Sequence, residues 1–112
     1  MDKSTMTKTA VKTVTKEELQ RKLKDGTAQV INVLEPEHYA LGAIRGSKKI
    51  PLSGLESRLG ELDKSKEVVT YCAGVDCDAS RKAADLLAAK GFKASAYEGG
   101  VKEWKEAGLP TA

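Results

Sequence analysis

A chain of 112 residues with 40% hydrophobic and 31% charged side chains has material for one small core, so a single soluble domain is expected. The formal charge is +3; of 19 basic and 16 acidic residues, Lys3, Lys8 and Lys12 and the lone Asp2 lie in residues 1–14, which leaves the body at +1. A nearly neutral body with 4% aromatics argues against nucleic-acid binding. The absence of an apolar run of roughly 20 residues or an apolar h-region argues against a membrane span and a signal peptide. The expected location is the cytoplasm, with residues 1–13 a flexible Lys/Thr-rich leader and residues 14–112 the domain.

The first ordered element is expected as a short strand around residues 11–14. Thr15 with Glu18 three residues on makes a capping box, opening a helix through Leu19 and Leu23 that Gly26 ends. Residues 28–33 form a second strand, and Glu35-Pro36-Glu37 opens a short helix. His38, the only histidine, follows in this polar turn. It reads as a solvated surface residue rather than the base of a Cys–His dyad. Residues 42–51 hold three glycine or proline residues and form a loop that brings Ile50-Pro51 against the fold. Ser53 and Glu56 read as a second capping box, followed by a helix whose Leu55, Leu59 and Leu62 form a core stripe.

Residues 68–84 organise the chain. Val68 to Tyr71 is β-branched and aromatic, whereas Ala79, Ala83, Leu86 and Leu87 recur at helical spacing, so the stretch reads strand, loop, helix. Cys72 therefore stands where a strand ends and a helix is about to begin. The first helical turn presents unpaired N–H groups and positive dipole charge, which stabilise a thiolate and let loop amides cradle an anion. Gly74 helps that loop curl. The competing reading of Cys72 is a small buried hydrophobe.

The second cysteine, Cys77, falls in the same loop. A Cys-x-x-x-x-Cys spacing fits no common zinc pattern, and Cys72, Cys77, Asp76 and Asp78 strain to converge tetrahedrally inside one short loop, so no metal is expected. Cys77 is open to two readings: an inert side chain filling the loop, or a resolving cysteine. Five positions separate it from Cys72, and a curled loop brings the Cα atoms into the roughly 4.4–6.8 Å range of a disulfide.

Gly91 closes the following helix, and residues 93–97 make another strand. Val101 and Trp104 then share a helix face that Gly108 and Pro110 stop, with Trp104 a core anchor. Strands alternating with helices imply βα units and a mainly parallel sheet with helices on both faces. Ligands bind such sheets at the carboxyl ends of the strands, where Cys72 stands.

The chain resembles the single-domain rhodaneses, a family of sulfurtransferases. The match runs from Val14 onward. It is carried by the strand-Cys-loop-helix with Ser80-Arg81-Lys82-Ala83-Ala84, by Ala88-Ala89-Lys90-Gly91-Phe92, and by the closing run from Tyr97-Glu98-Gly99-Gly100 through Trp104 to Gly108-Leu109-Pro110. The resemblance implies the three-layer rhodanese-like α/β fold and no cofactor. It makes Cys72 the nucleophile that takes a sulfane sulfur from a small-molecule donor, as a persulfide, and passes it to cyanide, a thiol or a protein acceptor. Backbone amides across Ala73, Gly74, Val75, Asp76, Cys77, Asp78, Ala79 and Ser80, with Arg81 following, would hold the terminal sulfur.

Several positions depart from the family pattern. Asn32-Val33-Leu34 stands where the family usually has Asp-Val-Arg, and Gly42-Ala43-Ile44-Arg45-Gly46-Ser47 replaces Gly-His-Ile-Pro-Gly-Ala. Seven residues rather than five separate Cys72 from Ser80. Asp76 and Asp78 beside the pocket are expected to repel a dianion such as thiosulfate by about a few kcal/mol. The loop holds no arginine, which counts against a phosphatase or arsenate reductase of the same fold. The other alternative is a rhodanese-like module that binds or senses redox state without catalysis.

Overall fold

The computed structural model describes residues 12–74 and 78–111. Its strands are β1 (Lys12–Thr13), β2 (Ala28–Asn32), β3 (Lys48–Lys49), β4 (Glu67–Tyr71) and β5 (Ala94–Tyr97). The α-helices are α1 (Lys16–Asp25), α2 (Leu52–Leu55), α3 (Ala79–Ala89) and α4 (Gly100–Glu106), with 3₁₀ turns over Pro36–Leu41 and Glu56–Glu61. The sheet order is β1-β5-β4-β2-β3, and every pairing is parallel.

β4 lies at the centre, in register with β2 through Val30↔Val69 and Asn32↔Tyr71 and with β5 through Thr70↔Ala96. Because side chains alternate along a strand, its two faces feed two cores. Val68 and Cys72 pack with Ile31, Ile50, Leu55, Ala83, Leu87 and Phe92 beneath α2 and α3. Val69 and Tyr71 pack with Leu19, Ile44, Tyr97, Val101 and Trp104 beneath α1 and α4. Helices therefore cover both faces of a parallel sheet, as the alternation of elements predicts.

The local signals form as expected around α1. Glu18 N–H donates to Thr15 Oγ1 at 3.1 Å, Thr15 N–H donates to Glu18 Oε1 at 2.8 Å, and Gly26 takes φ +70° at the exit. The Thr15 N–H bound to Glu18 Oε1 holds that carboxyl below the usual carboxylate range. Lys12 and Thr13, within the strand expected around residues 11–14, pair with Ser95 and Ala96 as β1.

The second capping box does not form. Pro51 precedes α2, and Ser53 turns to Glu35: its N–H donates to Oε2 at 3.1 Å and its hydroxyl to Oε1 at 2.7 Å. The helix expected after it is one short α-turn followed by a 3₁₀ segment with non-helical backbone at Arg58. Leu55 is fully buried, whereas Leu59 and Leu62 pack half-exposed on the core edge. Within residues 42–51, Lys48–Lys49 adds a short parallel edge strand to β2, and Ile50 is fully buried just beyond it.

Candidate active site

β4 delivers Cys72 at its carboxyl end, 1% exposed, and α3 begins seven positions later at Ala79. Between them, Ala73 is half-buried and Gly74 buried, whereas Val75, Asp76 and Cys77 lie outside the described residues. In this structure Cys72 takes part in a disulfide, the oxidised and non-nucleophilic state of its sulfur. A bond from Thr70 Oγ1 to the Ser80 carbonyl, 2.6 Å, fixes α3 to the strand below it.

The fourth helix orients the start of the loop. Val101 N–H donates to the Cys72 carbonyl at 3.0 Å and Lys102 N–H to the Ala73 carbonyl at 2.9 Å. In a trans peptide the N–H points opposite to the carbonyl of the same plane, so the N–H groups of Ala73 and Gly74 are turned away from α4. Neither has an acceptor among the described residues. Two such amides in a row, one on a buried glycine, are groups whose dipoles can offset a nearby negative charge.

This approach depends on the glycine pair at the end of β5. Gly100 has φ +64°, and a Cβ there would lie 2.6 Å from both the Cys72 carbonyl oxygen and the Ala73 carbonyl carbon. A Cβ on Gly99 would collide with the Glu103 carboxylate. Glu103 Oε1 in turn accepts the Tyr97 hydroxyl at 2.6 Å. Burial first, and the neighbouring carboxylate second, hold that phenol well above its usual range, so it remains a donor. The sequence reading overlooked the role of this junction in the site, although two adjacent glycines between a strand and a helix are its visible signal.

The charged residues around the loop have specific partners. Asp78 does not cap α3 with its side chain; its carboxylate lies 3.4 Å from Lys82 Nζ, both exposed, so its charge is partly offset. Arg81 Nη1 meets Glu98 Oε2 at 3.1 Å, a half-exposed pair that engages the arginine nearest the loop. Ala79 is half-buried, and Ser80 is fully buried with a hydroxyl that has no hydrogen-bond partner among the described residues. Asn32 is also fully buried: its Oδ1 accepts Leu34 N–H at 2.9 Å, while its Nδ2 has no acceptor within hydrogen-bond distance among the described residues. His38 is exposed on its 3₁₀ turn. No group of three metal-ligating side chains occurs among the described residues.

A parallel α/β sheet with a cysteine at the carboxyl end of its central strand, followed by a loop and a helix, defines a rhodanese-type domain. The chain belongs to the rhodanese-like domain family, whose model matches residues 15–107. It is 33% identical over 97 residues to the HTH-type transcriptional regulator Rv0324 of Mycobacterium tuberculosis, covering 87% of this chain but only 43% of that protein. It is 29% identical over 89 residues to the thiosulfate sulfurtransferase GlpE of Pseudomonas paraeruginosa, with 79% of each covered. The crystal structure of a rhodanese-like domain protein from Staphylococcus aureus superposes with a TM-score of 0.76 at 31% identity, over 91% of this chain and 99% of that one. Among the described residues no helix is long and apolar enough to cross a membrane.

Proposed function

We propose that the chain is a sulfurtransferase that carries sulfane sulfur on Cys72. The observation that carries this reading is the place of Cys72 at the end of β4, directly before two amides that have no acceptor among the described residues. Similarity to a protein named as a thiosulfate sulfurtransferase supports it.

In the loading step the Cys72 thiolate attacks the outer sulfur of a donor such as thiosulfate. A new S–S bond forms, the old one breaks, and its electron pair leaves with sulfite; the charge passes to the terminal sulfur of the persulfide. The amides of Ala73 and Gly74 offset that charge as an oxyanion hole does, and an ionised thiol needs no separate base. In discharge, cyanide or a thiolate attacks the terminal sulfur and the electron pair returns to Cys72 Sγ.

A redox-sensing role is the second reading, favoured by the oxidised state of Cys72. In it Cys77, the other cysteine of the chain, acts as resolving thiol. Its thiolate attacks the Sγ of a Cys72 persulfide, releases hydrosulfide and leaves a disulfide, which an external dithiol reopens.

Intact mass of the reduced protein after incubation with several sulfur donors tests the main reading. One added sulfur is expected, abolished in Cys72→Ser; undiminished loading of the serine variant would reject Cys72 as the carrier. Negligible hydrolysis of an aryl phosphate is also expected, since Arg81 is engaged by Glu98. For the second reading, mild oxidation should block alkylation of both thiols and stop loading until reductant is added. Two alkylatable thiols after oxidation would reject it.

A further inference from the structure

The two glycines between β5 and α4 face different neighbours. Gly100, at φ +64°, leaves room for the backbone of Cys72 and Ala73. Gly99 has ordinary helical angles, φ −63° and ψ −29°, so nothing in its own backbone asks for a glycine. The three nearest atoms that a Cβ there would meet all belong to Glu103. Glu103 is an exposed residue of α4, yet its side chain folds back over Gly99, and its Oε1 accepts the Tyr97 hydroxyl at 2.6 Å. Tyr97 is 1% exposed at the end of β5, in register with Tyr71 and edge-to-face with Trp104 at 6.1 Å, so strand and helix both fix its ring. The carboxylate thus straps the first turn of α4 to the last residue of β5. Inside that strapped turn lie the two amides that orient the loop: Val101 N–H on the Cys72 carbonyl at 3.0 Å and Lys102 N–H on the Ala73 carbonyl at 2.9 Å.

We propose that Glu103 is a positioning residue for the chemistry of Cys72. Anchored on the Tyr97 hydroxyl, it fixes the start of α4 and, through the Val101 and Lys102 amides, the direction of the two peptides that follow Cys72. This deepens the sulfurtransferase reading and rests on it for the reaction. Those peptides offset charge on a terminal sulfur only while their N–H groups keep one orientation. The strap supplies that orientation as a hydrogen-bond acceptor in a fixed place, which distinguishes it from a carboxylate that acts by its charge.

The test measures sulfur loading by intact mass in reduced wild type, Glu103→Ala, Glu103→Gln, Tyr97→Phe and the Tyr97→Phe/Glu103→Ala double variant. Amide hydrogen exchange at Val101 and Lys102 is followed by NMR in the same proteins. Glu103→Ala and Tyr97→Phe should each slow loading by about tenfold. The double variant should be no slower than the slower single one, because both changes remove the same bond. Glu103→Gln keeps a carbonyl acceptor for the hydroxyl and should retain most of the rate. Exchange at Val101 and Lys102 should quicken in the slow variants and stay at the wild-type rate in Glu103→Gln. Lys22→Met, which breaks an ion pair at the amino ends of the strands, controls for lost stability and should load like wild type.

Wild-type loading by Glu103→Ala, a Glu103→Gln as slow as Glu103→Ala, additive losses in the double variant, or unchanged exchange at both amides would each overturn the inference. If no donor loads the wild-type protein, the sulfurtransferase reading fails. The inference is then decided by the rate at which iodoacetamide alkylates Cys72 in a Cys77→Ser background: slower in Glu103→Ala if the strap positions the loop, unchanged if it does not.

Discussion

Single atoms decide how close α4 comes to Cys72. Replacing Gly100 by alanine asks an L-residue to hold φ +64° and sets a methyl group 2.6 Å from two backbone atoms of the loop. A loss of about 2–4 kcal/mol in chemical denaturation is expected from the left-handed backbone and the overlap together. Sulfur loading should fall beyond what the lost stability explains, because the peptides at Cys72 and Ala73 must shift. Gly54→Ala is the matched control. That glycine lies inside α2 with nothing within 4 Å of its Cβ position, so alanine should leave loading unchanged and stabilise by about 0.4–1 kcal/mol.

At the level of elements, α1 shows what a purely local signal contributes. Thr15 and Glu18 satisfy each other's backbone amides at the helix entrance, both exposed. Thr15→Ala should cost about 1 kcal/mol in equilibrium unfolding, with no effect on Cys72 chemistry. Ser53→Ala separates a capping role from a tertiary one. Because the Ser53 hydroxyl binds Glu35, eighteen positions earlier, the variant should raise the Glu35 pKa, read by NMR titration. A conventional helix cap at Ser53 would leave Glu35 unchanged.

Across the whole molecule, the amino ends of the strands are tied by Glu67, which accepts Lys22 Nζ at 2.6 Å and Ser95 Oγ at 2.9 Å. Burial works to raise this carboxyl, but the hydrogen bonds from Lys22 and Ser95 outweigh it and hold the group below its ordinary value of 4.5. A carboxyl depressed in the folded state binds fewer protons than in the unfolded chain. Its contribution is therefore complete above the unfolded value and is lost as pH falls through the folded one. Lys22→Met should destabilise by on the order of 1 kcal/mol at neutral pH, a figure reduced for the partial exposure of the pair. The gap between variant and wild type should close as the pH drops below the carboxylate range, which parallel denaturation curves would measure. A gap independent of pH would mean that the lysine acts through packing alone.

The sequence by itself determined the features that depend on neighbours a few residues apart. The β-branched run at Val68 and Val69, the Thr15–Glu18 box, the glycine stop at Gly26, and a cysteine at the junction of strand and helix are all local, and all form. Tertiary structure decided what depends on which backbone groups meet across the sheet. Lys48–Lys49 carries no strand signal, yet it pairs with β2 because an edge strand needs only backbone donors and acceptors and can leave both lysines in water. Ser53 looks like a cap but binds Glu35, and Asp78 and Arg81 are engaged by Lys82 and Glu98. Most of all, the parallel order that sets β5 beside β4 lays Gly100 and Lys102 on the Cys72 loop. No pattern of nearby residues records that contact, because it is made by the stacking of separate βα units rather than by the chain's local preferences.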